Sequence, residues 1–117
     1  MKNYTDIEQS KKLAEILPIE SADMGWDLFV DDTKRVLPID DWALIKDGSG
    51  SVRFYPAWSL TALLNVLRYP SLHSTFSGWR CDSYDKEGTS CILGETSNNP
   101  IDACVEMILK SHESNLL

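Results

Sequence analysis

The chain has 117 residues, a net charge of -7 and a pI of about 4.6. That balance argues against nonspecific binding to DNA, RNA or an anionic membrane, where a basic patch carries most of the affinity. A hydrophobic share of 43% beside a charged share of 25% excludes a disordered chain and predicts a single globular domain over residues 1–117.

The first element is a predicted helix over 5–17. Thr5 stands at its mouth with Glu8 three residues on, the spacing of a capping box. Ile7, Leu13, Ala14 and Leu17 share one face, Lys11, Lys12 and Glu15 the other, and Pro18 ends the run. Residues 19–54 are less regular. Trp26, Leu28 and Val30 alternate with Asp27 and Phe29, which predicts a strand burying the tryptophan face. Asp31-Asp32-Thr33-Lys34 reads as a turn, and Val36-Leu37 as a return strand that Pro38 confines to a sheet edge. Asp47-Gly-Ser-Gly50 is a loop signal, and residues 51–55 form a short extended piece.

The most apolar stretch is Tyr55–Leu67. It predicts a buried helix over 57–67, with Pro56 at the first helical position and Trp58 on the first turn. Leu72–Gly78 reads as a polar link. Trp79–Tyr84 and Thr89–Leu93 then flank Asp85-Lys-Glu-Gly88 as a hairpin. Trp79, Cys81 and Ser83 share one face of the first arm, with Trp79 and Cys81 inward. The last helix, 100–113, is the best-marked element. Asn99 caps it, Pro100 opens it and Asp102 meets the positive end of its dipole, while Ile101, Cys104, Val105, Ile108 and Leu109 form the apolar stripe. The fold class expected is α+β: three helices packed with a small, mainly antiparallel sheet.

Residues able to do chemistry are few and scattered. His73 and His112 have no second ligand at metal-binding spacing. Cys81, Cys91 and Cys104 are an odd set with no C-x-x-C and no secretory signal, which fits reduced thiols in a cytoplasm. Cys104, on an apolar helix face, reads as a small hydrophobe. In the expected hairpin register, residue 82 faces 91 and 81 faces 92, so Cys81 and Cys91 point to opposite faces and do not pair. A nucleophile pair of Cys81 or Cys91 with His73 would need a proximity that spacing does not provide. Asp31-Asp32 and Asp40-Asp41 could hold a divalent ion or serve as acid and base, but neither fits a calcium loop, and solvated turn acids are the simpler reading. No phosphate loop, hydrolase elbow, zinc-protease or dinucleotide motif is present. Four tryptophans are many for this length. Core packing is the default for them, and Trp42, beside Asp40 and Asp41, is the best candidate for exposure at an interface.

Four blocks carry a resemblance: Leu17–Met24, Pro56–Leu64, Trp79–Asp85 and Asn99–Leu109. In that order they resemble a group of short hypothetical proteins of Bacteroides-type gut bacteria and of their phages or mobile elements. The likeness spans most of the chain outside 30–54. It implies an intracellular, mobile-element setting and supplies no catalytic residue.

The expectation is therefore a non-enzymatic accessory protein in the cytoplasm. It would act by protein–protein contact with an unknown protein partner or as a homodimer, with no cofactor, no nucleic acid and no membrane. The expected contact surface is Trp42, Asp40, Asp41 and Trp26. The alternatives are a small hydrolase or metal-dependent enzyme using Asp40, Asp41 and His73, and an acidic inhibitor that mimics nucleic acid.

Overall fold

The computed structural model describes residues 2–27, 35–39, 54–67, 70–84 and 91–114. Among them are helices α1 (Ile7–Ala14), α2 (Leu60–Val66) and α3 (Pro100–Glu113), a 3-10 turn at Ile19–Ser21, and six strands in two sheets. The first sheet has strands β1 (Met24–Asp27), β2 (Arg35–Pro38) and β3 (Phe54–Ala57) in the order β2-β1-β3. The second has β4 (Pro70–Thr75), β5 (Gly78–Tyr84) and β6 (Cys91–Ser97) in the order β4-β5-β6. All pairings are antiparallel, and the α+β class holds.

α1 starts one residue later than the Thr5 capping box requires. Asp6 is the cap: its carboxylate accepts the Gln9 N–H at 2.8 Å, and Gln9 Oε1 accepts the Asp6 N–H at 3.2 Å. Two overlapping boxes exist in the sequence, and burial decides between them. The Thr5 hydroxyl is wholly buried, where it accepts the Trp58 N–H at 3.1 Å and lies 2.8 Å from Ser10 Oγ. The Thr5 N–H also donates to the Trp58 carbonyl at 3.0 Å. α1 closes at Ala14, although Ile16 and Leu17 still donate to the Leu13 carbonyl.

The central stretch departs from expectation. Pro56 does not open a helix; it lies in β3 opposite Gly25. β3 is an edge strand, the place where a residue without an N–H is tolerated. Trp58 turns the corner, fully buried, and its indole N–H donates to Ser21 Oγ at 3.0 Å. Ser59 caps α2. Its hydroxyl accepts the Ala62 N–H at 3.3 Å and donates to Asp23, whose carboxylate also accepts the Ser59 N–H at 2.9 Å. α2 buries Ala62 and Leu63 and exposes Thr61 and Asn65, so it is apolar on one side rather than all round.

In β1 the buried positions are Gly25 and Asp27, while Met24 and Trp26 are half-buried. The buried face is thus the opposite of the one alternation predicted. β2 is an edge strand containing Pro38, as expected. The predicted link at Leu72–Gly78 is instead most of β4 and its turn into β5. A lone apolar residue, Leu72, is too weak a periodic signal for an edge strand. β6 is described over Cys91–Ser97, the predicted turn Asp85–Gly88 lies outside the described residues, and the pairing is Cys81↔Glu95 and Asp82↔Gly94, with a bulge at Ser83/Tyr84. The predicted register, with 81 facing 92, assumed a four-residue connection and no bulge.

α3 covers β5 and β6 and meets α2 and α1. Its buried residues are Pro100, Ile101, Ala103, Cys104, Val105, Met107, Ile108 and Ser111, and Leu109 is half-buried. Asn99 caps it: Oδ1 accepts the Asp102 N–H at 2.9 Å and Nδ2 donates to Asp102 Oδ2 at 2.7 Å. Asn99→Ala removes both bonds. The expected loss is about 1 kcal/mol, read from urea melts; a change of under ~0.3 kcal/mol would show that the cap is redundant.

Candidate functional site

The β4–β5 hairpin presents the most unusual side chain of the described fold. Thr75 and Gly78 pair across a two-residue turn, Phe76-Ser77. The Thr75 hydroxyl donates to the Gly78 carbonyl at 3.1 Å and accepts the Ser77 N–H at 3.3 Å, which ties the turn from inside. Gly78 has φ 142°, a conformation that side chains rarely adopt. A Cβ there would also sit 2.4 Å from the Ser97 carbonyl oxygen, so β6 packs directly against the glycine. On this braced turn Phe76 is fully exposed. The other large apolar side chains of the described core and its margin are buried or half-buried.

Behind the tip lies a polar sheet face. Register puts Ser71, His73, Arg80, Asp82 and Thr96 on the side of the sheet opposite Cys81. Arg80 Nε donates to Asp82 Oδ1 at 2.7 Å; the Asp82 side chain is 6% exposed and that of Arg80 41%. The buried carboxylate is thus matched by a guanidinium that stays in contact with water. His73 is exposed and faces Arg80 across the strand pair.

A second charged cluster fastens helix starts together. Lys2 Nζ lies 2.9 Å from both Asp6 and Asp102, and Gln9 Nε2 donates to Asp102 Oδ1 at 2.7 Å. Burial pushes the Asp102 carboxyl up, but donation from Lys2, Gln9 and Asn99 outweighs it and holds the group below the ordinary carboxylate range. Asp6 is likewise held down against its burial, by the Gln9 N–H and Lys2. Lys2 is raised: burial lowers it, and its two carboxylate partners more than compensate. With all its members bonded to one another, the cluster is a fastening rather than a reactive centre.

Of the residues singled out in the sequence, Asp40, Asp41 and Trp42 lie outside the described residues, as does the Asp31-Asp32 pair. Trp26 is half-buried and anchored. Its indole N–H donates to the Thr5 carbonyl at 3.1 Å, and its ring meets Tyr4 edge-on at 5.6 Å. Cys81 and Cys104 are both wholly buried and lie 3.7 Å apart, sulfur to sulfur. Cys81 thus meets Cys104, while Cys91 sits in β6 opposite Tyr84. Among the described residues no three His, Cys, Asp or Glu side chains are placed to hold a metal ion, and no helix is long and apolar enough to cross a membrane.

Sequence reasoning missed Phe76 because it sits in a run of polar residues. The usable signal was the two-residue spacing between Thr75 and Gly78, with a strand on either side. The buried thiol contact had no signal at all, since it joins a strand to a helix. Comparison with known protein families, with curated proteins and with solved structures returns no match for this chain.

Proposed function

We propose that this is a small, non-enzymatic accessory protein that acts by protein–protein contact, and that the β4–β5 hairpin is its contact element. The observation that carries the reading is the full exposure of Phe76 on a turn braced by Thr75 and Gly78. A single exposed apolar residue needs no explanation by itself. A braced turn changes the balance, because the backbone that carries the ring is already ordered before a partner buries it. The half-exposed Arg80, on the same hairpin opposite His73, is a second residue type favoured at contact hot spots. The setting proposed, intracellular and linked to a phage or mobile element, rests on the four sequence blocks alone.

Burying one phenylalanine is worth roughly 1.5–3 kcal/mol. Phe76→Ser is therefore expected to weaken capture of the partner by about one to two powers of ten. Its urea melt should stay within ~0.5 kcal/mol of wild type, as for an ordinary surface change. A photo-crosslinking amino acid at position 76, used in cells carrying the natural genomic neighbourhood, should give one discrete adduct, with another protein or with a second copy. Failure to crosslink, with the wild-type melt retained, would reject the hairpin as contact element.

A further inference from the structure

Cys81 lies in the middle of β5 and Cys104 on the inner face of α3, and nothing separates their sulfurs. A disulfide bond is about 2.05 Å long. The two atoms, 3.7 Å apart, need a shortening of under ~2 Å, within the reach of small side-chain rotations at each end. Both are free thiols, and both belong to the same core cluster.

We propose that Cys81 and Cys104 form a dithiol that closes reversibly to a disulfide, joining the sheet to the helix that covers it. The oxidant class is a hydroperoxide. The Cys81 thiolate attacks one peroxide oxygen, the O–O bond breaks, and hydroxide leaves to be neutralised by the proton that Cys81 released. The product is a sulfenic acid. The Cys104 sulfur then attacks Cys81 Sγ, the S–O bond breaks, and water leaves with the Cys104 proton. Sulfur is oxidised, peroxide is reduced, and a small dithiol reverses the step by exchange.

The order of events follows from the contact. The Cys104 S–H donates to Cys81, which lowers the Cys81 thiol pKa despite burial and the nearby Asp82 charge. The same contact, with burial, raises that of Cys104. That polarity suits Cys81 as the first sulfur to react, and the linked product is the same if the two roles are exchanged. Because neither is exposed, peroxide reaches them only when α3 lifts from β5 and β6, so closure is slow and records sustained rather than brief oxidation. Once formed, the bond joins residues 23 apart and opposes that same opening.

The test uses the whole chain. Folded, reduced protein is held with hydrogen peroxide for several hours, alkylated under denaturing conditions and mapped as peptides without reductant. The expected result is a Cys81–Cys104 linked peptide lighter by two hydrogens, undone by dithiothreitol, and present also in Cys91→Ser. The oxidised protein should show a higher urea midpoint than the reduced one. Recovery of both residues as alkylated thiols, or linkage through Cys91 instead, would overturn the proposal. A lower midpoint after complete linkage would do so too, since the bond would then strain the fold. Cys104→Ala, whose folding is checked by circular dichroism, should form no intramolecular link at Cys81.

Discussion

Trp58→Ala is expected to cost about 3–5 kcal/mol, the range for emptying a large aromatic site in a core. Against a total stability of roughly 5–15 kcal/mol for a domain of this size, that loss leaves the fold marginal at best. The residue is wholly buried at the corner between β3 and α2. Its carbonyl accepts the Thr5 N–H, its own N–H donates to the Thr5 hydroxyl, and its indole N–H donates to Ser21, so it joins the segment before α1, the 3-10 turn and the core at one point. Trp58→Phe keeps most of the apolar volume and loses the indole N–H. It should fall between wild type and alanine, with the lost indole–Ser21 bond contributing about 1 kcal/mol, while the Ser21 hydroxyl keeps its bond to the Pro18 carbonyl. Urea melts followed by circular dichroism separate the three. An alanine variant within ~1 kcal/mol of wild type would mean that the corner collapses around the gap, against the packing described.

Gly78→Ala is expected to destabilise the second sheet strongly for the addition of a single methyl group. The backbone angle disfavours any side chain, at about 1–3 kcal/mol. The new Cβ would meet the Ser97 carbonyl at 2.4 Å, so β5 and β6 must separate at that end as well. A total above ~2 kcal/mol is expected in a urea melt. The same variant should weaken Phe76-dependent capture, because the turn loses its brace, whereas Phe76→Ser removes capture without the loss of stability. Gly78→Ala melting like wild type would show that β6 does not press on the glycine.

Elements with their determinants close together in sequence were legible. α3 was readable from Asn99-Pro100-Ile101-Asp102 and an unbroken stripe, and β2 from Pro38, because caps and prolines act within one turn of chain. Pro56 misled for the same reason. Its local signal is equally good for a helix start or an edge strand, and only pairing with Gly25 decides. Likewise Thr5 and Asp6 are both good caps, and the need for a hydroxyl beneath Trp58 settles which one serves. The register of β6 depended on a bulge at Ser83/Tyr84, which pattern alone does not predict. Of the contact surface named from sequence, Trp26 proves to be tied to Thr5 and Tyr4. Among the described residues the exposed aromatic is Phe76, whose neighbours hid it from any reading based on periodicity.

The fastening of Lys2 to Asp102 bears on how the chain folds as it is made. The two residues are 100 apart in sequence, and Thr5 and Trp58 are 53 apart. The N-terminal segment is made well before its charged partner on α3, which follows it by 100 residues. Closing so long a loop is slow, and contacts of this span belong to late steps on a folding pathway. Until α3 has been made, the N-terminal segment lacks the partner that fastens it. Loss of the Lys2–Asp102 contact should therefore speed unfolding more than it slows folding.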